Sequence, residues 1–254
     1  MNGRMKVFEV IGWITLVFLS VLGVAGSVMH LLDSGIRVGD LPAVHATTLT
    51  LYGSDFTPHW YDFRDIPVTR VAHMMPGLLW MIFAPLQFVK RIRRGAPRFH
   101  RWVGRITISM ILILVPSGVV FAALHPFADA FGEMVPISFY TLIYVASAVL
   151  GVRAARRRKF AIHREWMIRA FAVGAGISSV RVWFVIFLHT TGMHSQRFFA
   201  TAFWLAFAVN LVIAEIWIHA TRQRQTAERR ELRAVPQAAS EARAEVDWPA
   251  SEVA

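Results

Sequence analysis

The sequence predicts an all-α, polytopic membrane protein: a bundle of six transmembrane helices with both termini in the cytoplasm. Three observations predict it. Six stretches are apolar for about 17 to 25 residues each, and a spanning helix needs roughly 20. Lys and Arg collect in alternate gaps between those stretches. The composition, 56% hydrophobic with mean hydropathy +0.47 over 254 residues, fits one membrane domain, residues 1–220, and a short tail, 221–254.

The expected spans are 7–29, 67–89, 102–124, 135–155, 166–189 and 198–218. An open sheet would strand backbone groups in lipid, and runs this long without alternation do not suit barrel strands, so all six are read as helices. The first follows Arg4 and Lys6 and imitates a signal peptide, but its apolar stretch is too long for an h-region, so an uncleaved helix is expected. Residues 30–66, with His45, His59 and Trp60, read as an external loop. No broken helix or inverted repeat is evident, although Pro76, Pro85 and Pro116 have the chemistry to kink spans. The tail is rich in Arg, Glu, Ala and Gln and reads as a fraying helix that becomes largely disordered.

Orientation follows from charge. The N-terminus, the 90–105 and 153–164 connections and the tail hold 2, 7, 6 and 6 of the Lys and Arg residues. The opposite connections hold only Arg37, Arg64, Arg70 and Arg197, which places both termini inside. The net charge of +11 is therefore a topology signal and not a nucleic-acid one. The absence of Cys excludes disulfides, thiolate metal sites, iron–sulfur clusters and covalently attached haem.

Ionisable residues within a span cost several kcal/mol unless paired or hydrated, so they are the candidate site. The fifth span carries Arg169 and Arg181. His163 and Arg181 are five turns apart, which on a straight helix puts them on one face about 27 Å apart, with Ala170, Gly174 and Ser178 on or near it. In the second span His73, Gly77, Trp80, Ala84 and Gln87 share a face, and in the third His100, Gly104, Thr107, Gly118 and His125 do. The sixth span carries Asn210 and Glu215, the latter at the depth of Arg169 and a plausible ion-pair partner for it.

Two polar layers are expected: His100, His163, Arg169 and Glu215 near the cytoplasm, and His73 and Arg181, with His125 or His189, near the outside. Imidazole ligates metals and haem iron, and Arg holds propionate, phosphate or carboxylate. The plainer reading is that His100 and His163 are interfacial polar residues among basic neighbours, and that His125, His189, His194 and His219 simply end helices. Phe99-His100-Arg101-Trp102 and Ile162-His163-Arg164-Glu165-Trp166 echo one another, each after a basic turn and each followed by another Arg. No zinc-protease helix, phosphate loop, dinucleotide fingerprint or nucleophile elbow occurs, and no carboxylate pair lies inside the membrane.

Ala84-Pro-Leu-Gln-Phe88, Arg93-Arg94, Pro97, His100-Arg-Trp-Val-Gly-Arg105, His163-Arg-Glu-Trp-Met-Ile-Arg169, Arg181 and Asn210-Leu-Val-Ile-Ala-Glu215 follow in order, with His73 upstream. This pattern resembles an uncharacterised bacterial membrane family, the domain of unknown function numbered 2306, over about residues 67 to 219. The resemblance implies an inner-membrane protein and supplies no activity. Residues 125–132 depart from the paired glycine common there in the family.

Three functions fit these residues. The first is a membrane redox protein holding b-type haem or quinol between helices. His100 and His163 would be its haem-iron ligands, His73 an outer ligand, and Arg169 or Arg181 would meet cofactor carboxylates. The second is a carrier or binding protein for an anionic or amphipathic small molecule, held by the Arg residues with Asn210 and Glu215. The third is a non-catalytic scaffold in which these polar residues only lock helices. Lipids are the expected surroundings, with a quinone or redox partner under the first reading.

Overall fold

The computed structural model describes residues 3–35, 67–124, 130–192 and 195–246. Residues 36–66, with His45, His59 and Trp60, and His125 and His194 lie outside the described residues. Among the described residues all regular secondary structure is helical: α1 Gly3–Gly35, α2 Pro67–Leu86, α3 Lys90–Gly95, α4 Pro97–Leu124, α5 Ala130–Arg156, α6 Phe160–Gly174, α7 Gly176–Thr191 and α8 Ser195–Val246. Proline opens α2 and α4, where its missing N–H costs nothing. Gly192, at φ 64°, ends α7 in the left-handed conformation, its N–H bonded to the Leu188 carbonyl at 3.0 Å.

Four of these helices are long and apolar enough to cross a membrane: the stretches Glu9–Val28, Pro97–Ala123, Gly132–Arg156 and Phe198–Arg224. The pair α6 and α7 makes a fifth if taken as one span, and α2 contributes a shorter apolar stretch, Val71–Leu86. The chain divides into two compact units, Met1–Ala214 and Glu215–Ala254. The described part of the second is the continuation of α8.

One expectation is overturned. The fifth apolar segment is not a continuous helix: α6 and α7 meet at Ala175 with a bend of 43°. No proline causes it; Pro76, Pro85 and Pro116 all sit inside unbroken helices. The break lies instead between two glycines whose missing side chains are filled by neighbours. A Cβ on Gly174 would run into the Trp80 ring, and one on Gly176 would come within 2.6 Å of the Phe207 ring. His163 and Arg181 therefore do not share one straight helical face.

The core of the first unit is aromatic and small. Trp80 stacks on Phe171 with ring centroids 5.6 Å apart, and Tyr140 stacks on Phe207 at 4.8 Å. Ala170, Ala202, Ala206 and Ser178 are buried between the helices. Small residues let helix backbones approach where lipid offers no hydrophobic contrast. Leu112 and Leu142 are 75% and 69% exposed, the apolar outer surface that lipid tails cover.

Helices α2 and α4 run antiparallel in register. His73 lies against Gly118, where a Cβ would stand 2.8 Å from its ring, and Gln87 lies against Gly104, where a Cβ would stand 3.2 Å from its Oε1. Fourteen residues separate the members of each pair along its helix, so the two contacts are about 21 Å apart. His73 and Gln87 of the face expected for α2 meet Gly118 and Gly104 of the face expected for α4, while Trp80 of that α2 face packs on α6 at Gly174 and Phe171.

Candidate functional site

The basic connections supply the first group of residues. Lys90 approaches Glu9 at 4.0 Å, which brings the start of α1 to the end of the bundle where α2 runs into α3. At that end His163 of α6 reaches the Gly151 carbonyl of α5, with Nδ1 2.9 Å from the oxygen. A carbonyl only accepts, so Nδ1 donates. In the neutral ring the lone pair then sits on Nε2. Gly151 makes the approach possible, since a Cβ there would meet the Met167 side chain and lie 3.3 Å from the Trp166 Cβ.

His100 opens α4 from the facing side. It lies within electrostatic reach of Arg93, His163 and Arg101. Its Nδ1 is buried and has no hydrogen-bond partner. The same is true of Nε2 of Gln87, at the end of α2. Gln87 packs on Gly104, one turn beyond His100 on the same face of α4. The structure therefore brings together His100, His163, Gln87 and Arg93 at one end of the bundle. Gln87, read from sequence as a helix-face residue, belongs to this group. Its neighbour Gly104 was the available signal.

The Trp-x-x-Arg part of the sequence echo is also a structural repeat. Arg105 lies over the Trp102 ring at 5.6 Å, and Arg169 lies over the Trp166 ring at 4.7 Å. Each guanidinium rests on the ring one turn before it, a contact strengthened where water is scarce.

His73 is placed apart from that group. Its ring stacks on Phe121 with centroids 6.0 Å apart, and Nδ1 lies 3.2 Å from Ser117 Oγ. The Ser117 hydroxyl has one hydrogen and sits 2.6 Å from the Ile113 carbonyl. It therefore donates there and accepts from His73 Nδ1. These contacts pack His73 of α2 against α4.

Arg181 is in α7, beyond the break. It donates to the Ile177 carbonyl at 3.0 Å, and its guanidinium fills the space a Cβ on Gly26 would need, 2.6 Å from the carbon. One turn earlier Gly23 admits Met81 and Ser178, each 2.7 Å from a would-be Cβ. Gly23 and Gly26, a small-x-x-small spacing in the first span, went unread in the sequence.

Asn210 uses both ends of its amide within the protein. Its Nδ2 donates to the Ala172 carbonyl at 3.0 Å, and its Oδ1 accepts from Ser179 Oγ at 3.0 Å. It thus ties both sides of the break to α8. Glu215 starts the second unit. His189 donates to the Val185 carbonyl of its own helix at 2.8 Å, and His219 is exposed on α8. Glu133, 3% exposed in the first turn of α5, is a buried acid that the sequence did not single out.

Residues 70–218 match the model of a family described as a predicted membrane protein, DUF2306. The chain belongs to that family. No curated protein and no solved structure matches it. The DUF2306 region begins near the start of α2 and ends in α8, so it contains His73, His100, His163, Arg169, Arg181, Asn210 and Glu215. Among the described residues no group of three or more His, Cys, Asp or Glu side chains is placed to hold a metal ion.

Proposed function

We propose that this DUF2306 protein is a redox protein of the bacterial inner membrane that holds a b-type haem or a quinol between helices at the basic end of the bundle. Six crossings are proposed, with α2 and the bent α6–α7 pair each counted as one. The basic end then faces the cytoplasm together with both termini. The Glu9–Lys90 approach supports the placement of the N-terminus at that end.

The observation that carries the redox reading is the His163–Gly151 hydrogen bond. Imidazoles that ligate metals commonly donate their other N–H to a backbone carbonyl, which fixes the tautomer and the ring orientation. His163 has that arrangement, and His100 lies within its electrostatic reach. His163 and His100 would hold the haem iron, and a bound haem would supply one-electron chemistry. Arg169, seated on Trp166, would meet carboxylates of the bound group. His73 packs on Gly118, about 21 Å along α4 from the Gln87–Gly104 contact, so it would not hold the same group as His100 and His163.

The test is the visible spectrum of detergent-purified protein, oxidised and dithionite-reduced, beside His100→Ala and His163→Ala. A Soret band with sharp reduced α and β bands, lost in either variant, is expected for haem. A colourless, well-folded wild type without iron or bound quinone removes the redox reading.

A second reading, a carrier for an anionic small molecule, is favoured by the break at Ala175, since discontinuous helices recur at transporter binding sites. It predicts a ligand-induced rise in melting temperature that Arg181→Gln abolishes.

A further inference from the structure

At the basic end, two buried polar atoms on facing helices lack partners: Gln87 Nε2 and His100 Nδ1. Gln87 covers Gly104, and His100 is one turn before Gly104, so the two groups are neighbours across the α2–α4 contact. Leaving a buried donor unsatisfied costs about 1–3 kcal/mol. Two such groups at one level point to something that supplies acceptors.

The surroundings say which kind. Residues 90–105 and 153–164 contain no Asp or Glu. Arg93 and Arg101 act on His100, and Arg93 also acts on Arg164. Glu165, beside Arg164 on its own helix, is the acid within reach of that guanidinium. A metal cation would be repelled by Arg93 and Arg101 beside His100, and an anion would be attracted. An oxyanion accepts from several donors at once and pairs with planar guanidinium groups in two-point contacts.

We propose that Gln87 and His100, with Arg93 and Arg101 beside the imidazole, form a binding site for a phosphate-type oxyanion. The Gln87 amide and the Nδ1–H of His100 are the buried donors, and the arginines supply the charge. The site does not need the redox reading, which uses Nε2 of His163 and of His100 and a coloured or quinone group, whereas the oxyanion site uses Nδ1 of His100 and the Gln87 amide. Free phosphate and the phosphate of an anionic lipid headgroup offer the same chemistry.

The full-length protein in detergent is titrated with inorganic phosphate, with chloride at matched ionic strength as control, and its melting temperature is followed. In parallel it is placed in phosphatidylcholine bilayers with and without phosphatidic acid, and retained lipid is read by native mass spectrometry. A saturable rise with phosphate, weakened about tenfold or more in Gln87→Leu, shows a free-phosphate site. Retention of phosphatidic acid by the wild type and its loss from Gln87→Leu shows a headgroup site. Arg93→Gln, on an exposed residue, repeats both arms should Gln87→Leu fail to fold. If neither anion binds in preference to its control, or if both variants bind as the wild type does, the proposal is overturned and ordered water satisfies the two groups. None of these readouts depends on colour, so the redox reading stands or falls separately.

Discussion

Asn210 donates its side-chain amide to the Ala172 carbonyl over 3.0 Å, and Ala172 lies in the last turn of α6, just before the break at Ala175. Carbonyls of a last turn have no partner within their helix, and in lipid an unsatisfied one is expensive. The same side chain accepts from Ser179, in the first turn of α7. One residue of α8 therefore stabilises both sides of a bend that glycine alone would leave loose.

Asn210→Leu is expected to lower unfolding free energy by about 1–3 kcal/mol, because a buried carbonyl and hydroxyl lose their partners together. Ser179→Ala is expected to cost less, about 0.6 kcal/mol, the average for a side-chain hydrogen bond in a membrane bundle. Reversible denaturant unfolding in mixed micelles measures both. In the double variant the two costs should not add, since the Ser179 bond is already gone. Full additivity would mean that Asn210 does not bridge the break.

The glycines divide by what surrounds them. A Cβ on Gly77 meets nothing within 4 Å, whereas one on Gly118 would stand 2.8 Å from the His73 ring. Gly77→Ala is thus expected to be neutral or to stabilise by up to about 1 kcal/mol through helix propensity. Gly118→Ala is expected to destabilise by about 1–3 kcal/mol through overpacking. Melting temperatures of the two variants, measured side by side, check the ordering. A reversal would mean that α2 and α4 do not meet in this register.

Much of this was legible in the chain. Apolar length gave the helices, and the faces read for α2 and α4 are those that pack, because a 3.6-residue period fixes which side chains align. The small residues of the fifth segment are buried as that pattern required: Ala170 is 5% exposed and Ser178 is fully buried. The break at Ala175 was not legible, because its cause is tertiary. Gly174 and Gly176 leave room for Trp80 and Phe207, which lie far away in sequence, and no proline announces the bend. Asn210 read as a member of a polar network, but its partners were hidden for the same reason: Ala172 and Ser179 become available only once the helix has parted.

Arg181 depends on Gly26 for its place, with the guanidinium occupying the missing side chain. Gly26→Leu is expected to displace Arg181 and to destabilise the protein by about 1–3 kcal/mol. Truncating the displaced side chain in Gly26→Leu/Arg181→Ala should recover part of the loss. Gly26→Leu alone at wild-type stability would show that α1 does not pack on α7 through this pair.

Gly151 carries the same logic to the histidine of the redox reading. Its carbonyl accepts from His163, and its missing side chain is filled by Met167, one turn along α6 from His163. A methyl group at position 151 collides with the flexible end of Met167 and presses on the Trp166 backbone side. Gly151→Ala is therefore expected to push α6 away from α5, weaken the His163 hydrogen bond and cost about 1–3 kcal/mol. Gly151→Ala/Met167→Ala removes the collision and should restore both the helix contact and the histidine. Nitrogen-15 chemical shifts of the His163 ring report whether Nδ1 remains the protonated nitrogen in each variant. A Gly151→Ala protein with unchanged stability and an unchanged ring would mean that the α5–α6 contact is looser than this geometry requires, and His163 would lose its claim to a fixed tautomer.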